Sequence, residues 1–183
     1  MPSVLVPIAH GSEELEAITV IDLLRRAEVE VTIASLDGKP VTCSRKTTIV
    51  PDCGIDDVLD REFDMIVLPG GLPGADHLDN DPRVHQLLKK MNAEQKFVTA
   101  ICAAPRVLAR AGVLTGKRAT SYPGFLDNLG IDGVASTGGA VERDGNVITS
   151  RGPGTAMDFA LALIDALKGA ESRTEVETRL VRA

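Results

Sequence analysis

Apolar positions along this chain change period in a regular way. Short runs rich in β-branched residues, at 4–9, 29–35, 64–68, 97–101, 119–122 and 147–150, predict strands. The Leu, Ile and Val runs among them lack polar alternation, as in a sheet covered on both faces. Between them the spacing becomes helical. Ala17, Val20, Ile21 and Leu24 form one stripe, with Ser12 as its expected N-cap. Val84, Leu87, Leu88 and Met91 form a second after Asp81-Pro82, a cap and first-turn pair. Ala156, Phe159, Ala160, Leu163 and Leu167 form a third, closed by Lys168-Gly169, and Ser172 with Glu175 predicts a capping box for a last short helix. Strands and helices in alternation imply right-handed crossovers and a mostly parallel sheet. The expected fold is α/β, a three-layer αβα sandwich. No repeat or linker divides the chain, so residues 1–183 are read as a single domain.

Composition narrows the function more than the fold. With 20 Lys and Arg against 26 Asp and Glu the formal charge is −6, which argues against a broad phosphate-binding face. Four Phe, one Tyr and no Trp leave little for stacking on single strands, so strong nucleic-acid binding is not expected. No apolar run reaches the roughly 18 residues that cross a bilayer, and Met1-Pro2-Ser3-Val4 opens without a basic leader. Cys43, Cys53 and Cys102 form no Cys-x-x-Cys pair, and the three histidines show no metal spacing. A soluble, reducing, cytoplasmic setting without a bound metal is the expectation.

Ligands in parallel sheets bind beyond the carboxyl ends of the strands, which selects the loops 9–16, 69–75, 102–105 and 150–155. In Thr99-Ala100-Ile101-Cys102-Ala103-Ala104-Pro105 a buried strand runs into a helix with the cysteine at the turn. Small neighbours permit the sharp turn of a nucleophile elbow, and the helix end is expected to lower the thiol pKa. Cys43 and Cys53 lack that setting and read as structural. Leu68-Pro69-Gly70-Gly71 can turn backbone N–H groups toward an anion, and an oxyanion hole from Gly71 and Ala103 is chemically sensible. Glu13, Glu14 and Glu16 open the first helix, where acids commonly just complement the dipole. Periodicity does not choose among them. A carboxyl tucked near the thiol would have a raised pKa and could pass a proton. Arg45 reads as a solvated charge or an anion anchor. The 150–155 loop reads as pocket lining or simply a turn and cap, and His10 ends the first strand where it could face the site.

These stretches together resemble the DJ-1/ThiJ/PfpI superfamily, relatives of class I glutamine amidotransferases, and within it the bacterial YajL-like branch. The carrying motifs are Gly11-Ser12-Glu13-Glu14-Leu15-Glu16, Leu68-Pro69-Gly70-Gly71, Ala100-Ile101-Cys102-Ala103-Ala104-Pro105 and Ser150-Arg151-Gly152-Pro153-Gly154-Thr155. The resemblance implies a flavodoxin-like homodimer with its reactive cysteine at Cys102 and its partner acid at Glu16. It implies oxyanion N–H groups at Gly71 and Ala103, and a pocket lined by Gly70, Arg45, Tyr122 and Pro153, with Arg26 approaching the partner's pocket. Two departures matter. Tyr122 stands where human-type members have a histidine, shifting proton transfer onto Glu16. Ala103 stands where PfpI-type peptidases have a histidine, which argues against proteolysis. The implied activity is a cofactor-free deglycase or glutathione-independent glyoxalase acting on methylglyoxal, glyoxal and their early adducts with amines and thiols. In that scheme a protonated Glu16 donates to a Cys102 thiolate. The alternatives are a redox-sensing stress protein or chaperone with an oxidisable cysteine, and hydration of an isonitrile or similar electrophile by the same nucleophile.

Overall fold

The computed structural model describes residues 1–182. In chain order its elements are β1 (Ser3–Ile8), α1 (Glu14–Arg26), β2 (Glu30–Ser35), β3 (Val41–Thr42), β4 (Thr48–Ile49), β5 (Cys53–Gly54), β6 (Met65–Leu68), α2 (Gly74–Asn80), α3 (Pro82–Ala93), β7 (Phe97–Ile101), α4 (Pro105–Arg110), β8 (Lys117–Ala119), β9 (Val134–Ser136), β10 (Val141–Asp144), β11 (Val147–Ser150), α5 (Ala156–Lys168) and α6 (Ala170–Arg179). Short 3-10 turns lie at Ile55–Val58 and Pro153–Thr155.

The main sheet runs β10-β11-β7-β6-β1-β2-β5. Its neighbours are parallel except for the β10–β11 pair. Its central strands β2, β1, β6, β7 and β11 follow the flavodoxin-like order, so the α/β sandwich read from the sequence is the fold observed. Alternation along each strand divides the core. Val4, Val6 and Ile8 pack with Val20, Leu24, Phe159 and Leu163 on the α1–α5 face. Leu5, Ile66 and Leu68 pack with Val84, Leu88 and Leu108 on the other. Burial on both faces explains why these runs carry no polar alternation.

Three local expectations need correction. The 119–122 run does not join the main sheet: β8 pairs in parallel with β9, and the chain then leaves strand geometry. Residues 120 and 122 are claimed instead by other partners, Thr120 N–H donating to Thr149 Oγ1 at 2.9 Å and Tyr122 N–H to Cys102 O at 2.8 Å. Ser12 does not cap α1; Glu13 occupies that position, and the Ser12 hydroxyl accepts from Ala9 N–H at 3.0 Å within the preceding turn. Ser172 lies inside α6, because Gly169 at φ +85° both ends α5 and starts the next helix. The Asp81-Pro82 cap is as read, with the Asp81 carboxylate accepting from Arg83 N–H at 2.9 Å.

Candidate active site

The loops after β1, β6, β7 and β11 meet at the carboxyl edge of the sheet, and Cys102 stands among them. Its φ of +64° is a left-handed conformation that costs a non-glycine residue energy. Two backbone hydrogen bonds hold it there: Cys102 N–H donates to Ser150 O at 3.0 Å, and Cys102 O accepts from Tyr122 N–H at 2.8 Å. Buried Ala100, Ala103 and Ala104 leave room for the turn. This is the elbow read from the sequence, and it leaves Cys102 9% exposed.

Glu16 reaches the same spot from the first turn of α1. It is fully buried, at 0% exposure, and its Oε2 accepts from Gly70 N–H at 2.8 Å. Its Oε1 is buried with no hydrogen-bond partner among the described residues, and Cys102 lies beside the carboxyl across Gly70. Backbone N–H groups of Gly71 and Ala103 face the sulfur. Gly70 has to be glycine here, since a Cβ would lie 2.6 Å from Cys102 Cβ and 2.8 Å from Glu16 Oε2. Gly71, at φ +87°, packs directly on the Glu13 backbone, where a side chain would collide.

Burial at this pair works against one expectation. Burial pushes the Glu16 carboxyl from 4.5 up to about 7, with the Gly70 N–H and the Cys102 thiol pulling the other way. Burial and then the Glu16 charge push the Cys102 thiol up to about 12, against the pull of the Gly71 and Ala103 amides. Burial thus opposes the thiolate that the helix end was expected to favour. α4 is a six-residue helix, and desolvation outweighs what its end supplies. Each group therefore favours its neutral form, and each is held there more firmly when the other is charged. Two groups close together in a dry niche hold one negative charge, and a second is strongly opposed.

Other expected residues divide. Tyr122 and Pro153 line a shared pocket of about 290 Å³ that neither Cys102 nor Glu16 lines. Tyr122 is half exposed and meets Phe125 edge-on, with ring centroids 6.2 Å apart. Arg45 sits on the exposed turn between β3 and β4, its guanidinium in no ion pair among the described residues. Arg26 pairs with Asp22 at 2.6 Å near the far end of α1. His10 turns away: its Nδ1 accepts from Thr42 N–H at 3.1 Å, and it lines a separate crevice with His77. Cys43 is buried and pushed up to about 11 by desolvation and the neighbouring Glu14 and Glu13, in keeping with a structural role.

Sequence reasoning missed what Glu13 and Glu14 do. Glu14 carboxylate oxygens accept from Arg45 N–H at 2.9 and 3.0 Å, Thr47 N–H at 3.2 Å and Ser44 Oγ at 3.1 Å. These contacts hold its carboxyl at about 2 against the opposing effect of desolvation. Ser44 Oγ also donates to Glu13 Oε2 at 2.8 Å. Three acids in and beside one helical turn thus have three environments: Glu16 meets the Gly70 edge, while the hairpin 41–49 folds back onto Glu13 and Glu14.

A doubly wound sheet with a strained cysteine at a strand end, a buried acid against its sulfur and two amides facing it defines a cysteine-elbow α/β protein. The DJ-1/PfpI family model matches residues 2–166, and the chain belongs to that family. It is 44% identical over 182 residues to Protein dj-1beta of Drosophila melanogaster, covering 99% of this chain and 97% of that one. It is 36% identical to a Caenorhabditis elegans protein named Glutathione-independent glyoxalase DJR-1.2, over 92% of this chain and 89% of that one. Among solved structures, Drosophila melanogaster DJ-1beta superposes with a TM-score of 0.95 at 43% identity, covering 100% and 98% of the two chains. Oxidized Toxoplasma gondii DJ-1 does so with a TM-score of 0.95 at 39% identity and full coverage of both.

The raised Glu16 pKa has a consequence for stability. A carboxyl at about 7 in the folded chain and near 4.5 unfolded makes the native state bind the extra proton between those values. Stability from this group is present below about 4.5 and is lost as pH rises through about 7. Urea unfolding at pH 5 and pH 8 should show Glu16→Gln gaining on the parent at the higher pH. Parallel pH dependences for the two proteins would contradict the raised value.

Proposed function

We propose that this chain is a cysteine-dependent, cofactor-free glyoxalase of the glutathione-independent kind, acting also as a deglycase on early adducts of dicarbonyls with amines and thiols. The observation that carries this reading is the Cys102 thiol set between a carboxylate able to take its proton and two amides able to hold an oxyanion. The glyoxalase name of the Caenorhabditis elegans relative supports the reaction class. Methylglyoxal and glyoxal are the substrates proposed.

Cys102 Sγ bonds to the aldehyde carbon while Glu16 takes the thiol proton. The aldehyde oxygen becomes an alkoxide against the Gly71 and Ala103 N–H groups and receives that proton, leaving a hemithioacetal. Glu16 then removes the hydrogen on the former aldehyde carbon as a proton. The freed electron pair forms an enediol, and the proton returns to the neighbouring carbon. The first carbon is oxidised to a thioester and the second reduced to an alcohol, so no outside oxidant is needed. Water cleaves the thioester to lactate and restores the thiol. An adduct enters with its amine or thiol still attached to the aldehyde carbon and releases it when sulfur takes its place. The base must start as carboxylate, which Glu16 supplies above about 7. Tyr122, in the position of an imidazole in human-type members, contributes its backbone N–H to the elbow.

This reading is favoured over a redox sensor because a relative carries the glyoxalase name and because burial opposes a standing thiolate, whereas Glu16 beside the sulfur can take its proton when substrate is present. Incubated with methylglyoxal, the purified protein should form lactate with kcat/KM rising through an apparent pKa near 7, and Cys102→Ser should form none. Equal lactate from the variant would end the proposal.

A homodimer in the cytoplasm is part of the same reading. Leu15 and Ile18 are 50% and 45% exposed and share one outer face of α1 with the Asp22–Arg26 ion pair. Pairing that face between two copies would cover both apolar side chains and bring Arg26 toward the other copy's site. Sedimentation at micromolar concentration should give about twice the chain mass of 19.4 kDa; a single species at 19.4 kDa would refute the dimer.

A further inference from the structure

Glu14 makes contacts that neither helix capping nor solvation requires. Its carboxylate collects the Arg45 and Thr47 amides and lies 3.1 Å from the Ser44 hydroxyl, all from the turn between β3 and β4. From that turn a continuous set of contacts leads to the sulfur. Ser44 N–H donates to Ser12 O at 2.9 Å and Ser44 Oγ to Glu13 Oε2 at 2.8 Å. Glu13 N–H donates to Gly70 O at 2.9 Å, and Gly70 N–H donates to Glu16 Oε2 at 2.8 Å. Gly71, whose amide faces Cys102, rests on the Glu13 backbone.

A hydroxyl has one hydrogen, so Ser44 Oγ cannot donate to both carboxylates at once. The amides already satisfy Glu14, which leaves the shorter Ser44 contact to Glu13. We propose that Glu14 is a positioning residue for the Cys102 site: by fixing the Ser44 turn on α1 it anchors Glu13, and Glu13 fixes the Gly70-Gly71 corner against carboxyl and sulfur. This deepens the assignment of Cys102 as nucleophile and rests on it. Loosening the turn misaligns the Gly71 amide and withdraws one of the two groups that favour the sulfur's negative charge.

Charge alone predicts the opposite sign, which makes the idea testable. Removing a carboxylate eases thiolate formation nearby, whereas losing the anchor hinders it. Alkylation of Cys102 by iodoacetamide, followed by peptide mass from pH 6 to 9, reads this without any turnover. Glu14→Gln should slow Cys102 about three- to tenfold at each pH. Cys43, held up in part by the Glu14 charge, should not slow. Ser44→Ala removes the link but leaves the amide contacts, so it tests the same path if Glu14→Gln fails to fold. It should slow Cys102 too, and the double variant should be no slower than the worse single one. A wild-type Cys102 rate in Ser44→Ala, or an unchanged or faster rate in Glu14→Gln, overturns the proposal. A parent that makes no lactate but shows these alkylation differences would refute the glyoxalase reading and leave the positioning role standing.

Discussion

The closeness of one buried thiol and one buried carboxyl governs this molecule's chemistry. Glu16 and Cys102 come from elements 86 residues apart in the chain, and the parallel sheet places both at its carboxyl edge. Water is excluded there, so each group resists carrying charge, and each resists more strongly when the other is charged. Gly70 N–H favours the charge on carboxylate, and the Gly71 and Ala103 amides favour it on sulfur. Backbone amides thus support a negative charge at either group, a useful property in a catalyst that must first remove a proton and then give it back.

That balance depends on close packing of backbone. The Gly70-Gly71 corner can approach Cys102, Glu16 and Glu13 only because no side chain intervenes. The strained elbow persists because β11 and the 120–122 segment bond it from both sides. Stability and reactivity are thus coupled at this edge: the same burial that raises the carboxyl to about 7 makes its ionised form costly to the fold.

Much of this was legible in the chain, and the failures have physical causes. Strand runs buried on both faces announce themselves by composition, and Cys102 between Ile101 and Ala103-Ala104-Pro105 carries its turn geometry in local sequence. The Asp81-Pro82 cap is local as well. What periodicity alone could not do was choose among Glu13, Glu14 and Glu16, because their environments come from a hairpin some 30 residues away and from Gly70, 54 residues away. The 119–122 run looked like a strand because its residue types suit one; tertiary partners took its hydrogen bonds instead. The thiol's surroundings are legible only in part for a similar reason: a helix start is visible in sequence, whereas the depth of burial and the charge of a distant acid are not.

Ultraviolet thiolate absorbance titrated with pH, in a chain where Cys43 and Cys53 are replaced by Ser, observes the ionisation of that thiol most directly. With Glu16 in place the Cys102 thiolate should appear only toward about 12, and replacing Glu16 by Gln should bring its midpoint down. A midpoint below neutrality in the parent, or one that rises when the carboxyl is removed, would contradict the account.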